Sequence, residues 1–324
     1  MDNARVDSVY VNAAAAAHEG RQATLVVVTE AAGHTPQVVG ARMLVWPDGR
    51  VEGTVGGGRF EQEVAVRAQG AERPALVTLH LGAELGMCCG GRMQVLVTPI
   101  RSGEAWLQEV ASAVAAGREL VLRTALDDAH LGERRIAAAL PPLDGERRFE
   151  HAGLCFEEEG RALYEHLRAA PRMVLFGAGH VSRPTAQLAT LLGYRVVVVD
   201  DRPEWNSAER FPQPAERVLE PYEDFLAGFD PKPTDALLII TRGHDFDQVV
   251  LEAVVRKEVA YLGMIGSRTK VHKAVQKLRS RGVDEAHIAR LHAPVGLTLG
   301  ALTPEEIAVA IAAELVAVRR SPRA

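Results

Sequence analysis

Apolar residues along the chain fall into short runs separated by glycine-rich turns, with stretches of helical period between them. Residues 5–20, with Ala13 to Ala17, read as an opening helix stopped by Gly20. Ala23 to Thr29 and Ala41 to Trp46 are β-rich runs, and Pro47-Asp48-Gly49 turns the second into a short strand at Val51 to Val55. A helix is predicted from Arg59 to about Gln69, with Phe60 and Val64 on one face. Strands follow at Ala75 to Leu81 and Met93 to Val97. Residues 101–170 carry a weaker pattern. It predicts a helix over Ala105 to Ala116, strands over Glu119 to Thr124 and Leu154 to Glu157, and a surface loop over Ala138 to Gly145. Tyr164 to Pro171 reads as a link between domains.

Beyond that link the pattern changes. Met173 to Phe176 is a buried-strand run that breaks at Gly177-Ala178-Gly179, and a helix-compatible segment runs from His180 to Leu192. Arg195 to Val199 is a second, β-branched run that ends in Asp200-Asp201. Strand, glycine turn, helix, strand and terminal acid make one βαβ unit. Gly177 permits the tight turn, and Gly179 lets backbone N–H groups approach a phosphate at the positive helix end. An acid about 20 residues beyond the glycines can accept hydrogen bonds from a ribose. The third fingerprint position is Ser182, and His180 and Val181 stand where the helix begins.

Further buried strands are predicted near Val218, over Asp235 to Thr241 and over Ala260 to Ile265. A last helix starts at Thr303-Pro304-Glu305-Glu306, with Thr as N-cap, Pro at N1 and Glu at N3. Open parallel sheets bind ligands at the carboxyl ends of their strands. Four loops would meet there: Gly177 to Ser182, Asp200 to Arg202, Thr241 to Asp245 with His244, and Gly263 to Arg268 with Gly266 and Ser267. The proline-rich stretch after Arg202, with Trp205 and Phe211, is long enough to cover that edge. The expected architecture is α/β: a C-terminal Rossmann-like parallel-sheet domain over residues 169–324 and an N-terminal α+β domain over residues 1–168.

Bulk composition narrows the function. Hydrophobic content of 47% and charged content of 24% are those of a soluble globular protein. A net charge of −5 and a pI near 6.1 argue against general nucleic-acid binding. No apolar run approaches the roughly 20 residues of a membrane span, and no basic-then-apolar leader is visible, so a cytoplasmic protein is expected. Three cysteines, two of them adjacent, do not make a disulfide framework.

Two features in the first half carry candidate chemistry. Gly56-Gly57-Gly58 ahead of a helix is either an anion-binding turn or a place of close strand–helix packing. Cys88-Cys89, flanked by glycines and followed by Arg92, puts two soft sulfur atoms beside a guanidinium that favours thiolate. Such sulfurs could hold a soft metal centre or accept persulfide sulfur, whereas zinc lacks a second ligand pair. Cys155, alone, reads as a packed thiol. His244 with Asp245 and Asp247 is either an acid–base or metal group or a turn. No nucleophile elbow, no HExxH and no Walker motif is present.

Several stretches in one order, TPQVVGARMLV, GTVGGGRFEQEV, LGMCCGGRMQV, FGAGHVSRP, VVDDRPEWNSAERFP, YLGMIGSRTK and HAPVGLTLGALTPEEIAVAIAAEL, resemble the xanthine dehydrogenase accessory family (XdhC/CoxI-like). The likeness covers nearly the whole chain. It departs at Thr298, where the family commonly has Asp, and at His34, which replaces a Ser. The resemblance implies a cytoplasmic chaperone of purine catabolism without turnover of its own. Such a protein holds molybdenum cofactor while a cysteine desulfurase supplies its sulfido ligand, then passes it to an apo molybdenum hydroxylase. A homo-oligomer is expected.

On the residues and the resemblance together, the cofactor-binding set is Gly177, Gly179, His180, Val181, Asp200, Asp201, Arg202, Gly56, Gly57, Gly58, His244, Gly266, Ser267 and Arg268. Cys88 and Cys89 would face the molybdenum or its sulfur. The cofactor, molybdopterin in mono- or dinucleotide form, has a phosphate suited to a glycine turn and a sulfur-rich metal end suited to the cysteines. The alternative is an NAD(P)-dependent oxidoreductase using the same βαβ unit, with Asp200 or Asp201 on the ribose.

Overall fold

In a computed structural model, residues 3–82, 90–140, 148–149, 154–156, 162–167, 170–212 and 215–320 are described. They fall into two units, residues 1–169 and 170–324.

The first unit runs α1 (Asn3–His18), β1 (Thr24–Ala32), β2 (Arg42–Val45), β3 (Val51–Gly53), α2 (Gly58–Ala68), β4 (Ala75–His80) and β5 (Arg92–Pro99). It continues with α3 (Ala105–Ala115), β6 (Leu120–Ala125), β7 (Arg134–Ala137), β8 (Arg148–Phe149), β9 (Leu154–Phe156) and β10 (Ala162–Leu167). Among the described residues the strands make two antiparallel sheets, ordered β3-β2-β1-β5-β4 and β7-β6-β10-β9-β8. The unbroken apolar run of β1 follows from burial on both faces. Leu25 and Val27 pack with α1, α3 and Leu122 and Leu163 of the second sheet. Val26 and Val28 pack with Phe60, Val64 and Ala68 of α2. Each such side chain, fully buried, contributes about 1.5–3 kcal/mol.

The expected link from Tyr164 is corrected by the structure, since the chain stays in strand β10 to Leu167 and Tyr164 is buried. The polar residues of this segment hid it. Glu165, 1% exposed, accepts a hydrogen bond from Tyr10 Oη at 2.9 Å and pairs with Arg42 at 3.2 Å. A charge so placed is compatible with the core only because β2 and α1 supply its partners.

The second unit runs β11 (Arg172–Phe176), α4 (Ser182–Leu191), β12 (Arg195–Val199), β13 (Glu216–Val218), α5 (Tyr222–Gly228), β14 (Ala236–Ile239) and α6 (His244–Val254). Then come β15 (Tyr261–Met264), α7 (Arg268–Ser280), α8 (Glu285–Ala289), β16 (Leu291–His292) and α9 (Pro304–Arg320). The sheet is all parallel, ordered β13-β12-β11-β14-β15-β16. Alternation along β11 sends Met173 and Leu175 toward α4 and α9, and Val174 and Phe176 toward α5, α6 and α7. Helices therefore cover both faces, and strand order reverses at β11, as in Rossmann-type sheets. No helix among the described residues is long and apolar enough to cross a membrane.

Candidate functional site

Parallel pairing brings the ends of β11, β12, β14 and β15 to one edge of the second unit. At Gly177 the backbone takes φ +118°, and an added Cβ would lie 2.2 Å from the Ile240 carbonyl oxygen. Only glycine fits so close to β14. The next N–H, from Ala178, donates to Asp200 Oδ2 at 2.8 Å. Gly179 has open space where a Cβ would be, which leaves its backbone approachable. His180 is exposed, and its ring meets Trp205 edge-on at 5.0 Å. Val181 is half-buried at the N-cap of α4, and Ser182 behind it is fully buried.

The loop after β12 is fastened over this turn. Asn206, buried, donates to the carbonyls of Val198 and Val218 at 3.2 and 2.8 Å. Arg210 donates to Ala178 O and Gly179 O at 3.3 and 3.4 Å. Two guanidinium groups lie over the Trp205 ring, Arg202 at 5.0 Å and Arg210 at 4.7 Å.

The two acids of β12 do different things. Asp200 is fully buried and accepts from the Arg202 N–H at 3.1 Å and from the Arg202 guanidinium at 2.8 Å on each oxygen. Burial, the largest single influence, would raise its pKa. The Arg202 hydrogen bonds, the Ala178 and Arg202 amides and the Arg202 charge outweigh it, so the carboxyl titrates below its ordinary range. Asp200 thus offers no free acceptor to a ribose. Asp201 is exposed and faces Arg242 through both oxygens, with Nη2 to Oδ2 at 3.0 Å. Hydrogen bonding from Arg242 lowers its pKa.

On the other side of β11, Thr241 Oγ1 donates to Asp247 Oδ1 at 2.8 Å, and Lys270 pairs with the other oxygen of that buried acid. Asp247 therefore serves Thr241 and Lys270, while His244 and Asp245 begin α6 exposed. Among the described residues no three His, Cys, Asp or Glu side chains are grouped to hold a metal ion. Ser267 caps α7 by accepting the Lys270 N–H at 3.2 Å. Gly266 lies against the Lys270 side chain, which a Cβ would meet at 2.9 Å, and Arg268 is exposed.

The edge thus collects the glycine turn, Asp200 to Arg202, Thr241 to His244, and Gly266 to Arg268. Sequence reasoning had not singled out Arg242, Arg210 or Lys270. Arg242 carried a signal, since it directly follows a buried strand at the ligand-facing end. The N-termini of α4, α6 and α7 at one edge suit an anion, while Arg202, Arg242 and Lys270 are each paired with an acid of that edge.

In the first unit the glycine motifs share one end of the first sheet. Gly56, with φ +142°, lies so near Pro36 that a Cβ would meet its ring at 2.8 Å. Gly91 is closer still to the His34 carbonyl oxygen, which a Cβ would meet at 2.4 Å, and His34 bridges to Gly90. The turn's own anion is Glu61, whose Oε2 accepts from Val55 N at 2.9 Å, Gly57 N at 3.1 Å and Thr54 Oγ1 at 2.6 Å. Gly58 opens α2 exposed to solvent. Cys88 and Cys89 lie outside the described residues.

Residues 173–315 match the XdhC Rossmann domain, and residues 16–80 match the XdhC and CoxI family. The chain belongs to the XdhC and CoxI family. Among curated relatives it is 29% identical over 323 residues to the Escherichia coli (strain K12) protein YqeB, described as uncharacterized. That alignment covers 97% of this chain and 47% of YqeB, so the chain spans about half of that protein. A Bacillus subtilis (strain 168) protein, a probable xanthine dehydrogenase subunit, is 27% identical, with 92% of this chain and 94% of that protein covered. The molybdenum cofactor insertion chaperone PaoD of Escherichia coli (strain K12) is 25% identical, over 93% of this chain and 84% of PaoD. A crystal structure of a xanthine dehydrogenase from Bacillus halodurans matches with a TM-score of 0.82 and 24% identity, covering 100% of this chain and 97% of that one. At that identity the likeness carries the fold of this XdhC-type chain.

Proposed function

We propose that this chain binds molybdenum cofactor, supports its sulfuration and delivers it to a molybdenum hydroxylase of the xanthine dehydrogenase kind. The observation that carries the reading is the anion-receiving edge of the second unit in a chain that aligns over 93% of its length with a molybdenum cofactor insertion chaperone. The open backbone at Gly179 and the positive end of α4 suit the pterin phosphate. Arg202, Arg242 and Lys270 stand along the same edge, each paired with an acid, and the acid facing Arg242 is the most exposed of the three. Cys88 and Cys89 are assigned to the sulfur-rich end of the cofactor, where a persulfide from a cysteine desulfurase would be handed on. An apo molybdenum hydroxylase is the recipient partner, and the cytoplasm is the assigned compartment.

The test is retention through gel filtration. Purified protein is mixed separately with molybdopterin cofactor released from a molybdoenzyme and with NAD(H) or NADP(H), and the retained fraction is read by pterin fluorescence or nicotinamide absorbance. Stoichiometric pterin retention, followed by activation of apo-hydroxylase, is the expected result. Saturable NAD(P) binding with turnover and no pterin retention would overturn it in favour of an oxidoreductase.

A further inference from the structure

Asp201 and Arg242 stand on opposite sides of β11. One follows β12 and the other follows β14, the two neighbours of β11 in the sheet. Strands two places apart lie about 10 Å from one another. The Asp201–Arg242 pair therefore runs across the carboxyl end of β11, beside the point where Gly177 turns the chain toward α4. Any ligand lying along this edge from β12 to β14 has to meet it.

Arg242 is not needed to neutralise Asp200. Arg202 does that through three hydrogen bonds, and Arg242 Nη1 lies 3.8 Å from the nearer Asp200 oxygen. The Asp201 side chain is 33% exposed and the Arg242 side chain 29% exposed, and pairs at that level of exposure contribute little to stability. Such a pair can be exchanged at small cost. The guanidinium has a second hold besides Asp201, since it lies over the Phe246 ring at 4.3 Å and Phe246 packs edge-on against the buried Tyr222 at 5.6 Å. A planar guanidinium presenting two N–H groups matches phosphate oxygens as well as it matches a carboxylate.

We propose that Arg242 is a receptor for a phosphate ester and that Asp201 occupies it as an internal counter-ion until the ligand takes its place. The identity of the ester, the phosphate of molybdopterin, rests on the function proposed above; the exchange itself does not.

The test uses inorganic pyrophosphate titrated calorimetrically into the full-length protein at low ionic strength. Asp201→Asn is expected to tighten binding by about tenfold, since a competing charge-assisted contact is removed. Arg242→Gln is expected to weaken binding by about tenfold or more, with Arg242→Lys in between because it keeps the charge and loses the fork. In the double variant the gain from Asp201→Asn disappears. Thermal melts accompany each titration, and Arg242→Lys serves as the readout if Arg242→Gln does not fold. Binding that Asp201→Asn leaves unchanged or weakens, a gain that survives in the double variant, or no pyrophosphate binding by wild type and Asp201→Asn would each overturn the exchange. If this pattern holds while molybdopterin is not retained, the cofactor reading fails and the exchange stands. Retention of molybdopterin with both variants silent has the opposite meaning.

Discussion

Gly177 and Gly179 are two residues apart and meet opposite constraints. An alanine Cβ at Gly177 would sit 2.2 Å from backbone, whereas at Gly179 it would meet nothing within 4 Å. Gly177→Ala is therefore expected to cost about 3 kcal/mol or more, through overlap and a strained positive φ. Gly179→Ala is expected to stay within about 1 kcal/mol of wild type and still lose cofactor retention, because it blocks close approach to the backbone. Urea unfolding and gel-filtration retention separate the two, and equal stability losses would remove the assigned roles. Asp200 gives a pH signature. Its folded pKa is depressed, so its contribution is complete above the unfolded value of about 3.9 and is lost as pH falls through the lower folded value. The stability gap between wild type and Asp200→Asn should be constant from pH 7 to pH 5 and close below about pH 4. At the cysteines, Cys88→Ala or Cys89→Ala is expected to weaken retention or sulfuration without altering the melt. Full reconstitution of a hydroxylase by both variants would remove that role.

Elements show which signals are local. The start of α9 was legible residue by residue: the Glu306 N–H donates to Thr303 Oγ1 at 3.2 Å, and Glu306 Oε2 accepts from the Thr303 N–H at 3.0 Å. The βαβ unit was legible for the same reason, since each part depends on its near neighbours. Strand β10 was not, because Glu165 breaks its apolar alternation and the partners that permit its burial, Tyr10 and Arg42, lie more than a hundred residues away. The glycine turn before α2 reads from sequence either as an anion-binding turn or as a place of close strand–helix packing, and the structure puts Glu61 of the same helix on its amides. Glu61→Ala is expected to destabilise the protein by about 2 kcal/mol, the range for hydrogen bonds to a charged group. Ser267→Ala, which removes the cap of α7, is expected to cost about 1 kcal/mol. Both are read as shifts in the denaturation midpoint, and a silent Glu61→Ala would mean the turn is held by its backbone alone.

On the scale of the molecule, the second unit builds its cores from residues 173–318. A fragment of residues 169–324 is therefore expected to fold alone with a single cooperative thermal transition. A broad, non-cooperative melt would instead place the domain boundary elsewhere. The sequence by itself determined strands β11, β12, β14 and β15, helices α4 and α9, the Rossmann-type turn and the family, because strand runs, glycine positions and capping residues act over a few neighbours. It could not assign the two adjacent acids, since Asp200 and Asp201 are alike in composition and differ only in what faces them. The tertiary structure turned one inward onto Ala178 and Arg202 and the other outward onto Arg242, forty-one residues away. A carboxylate's role follows from the donors around it, and those donors arrive from separate strands only when the sheet has closed.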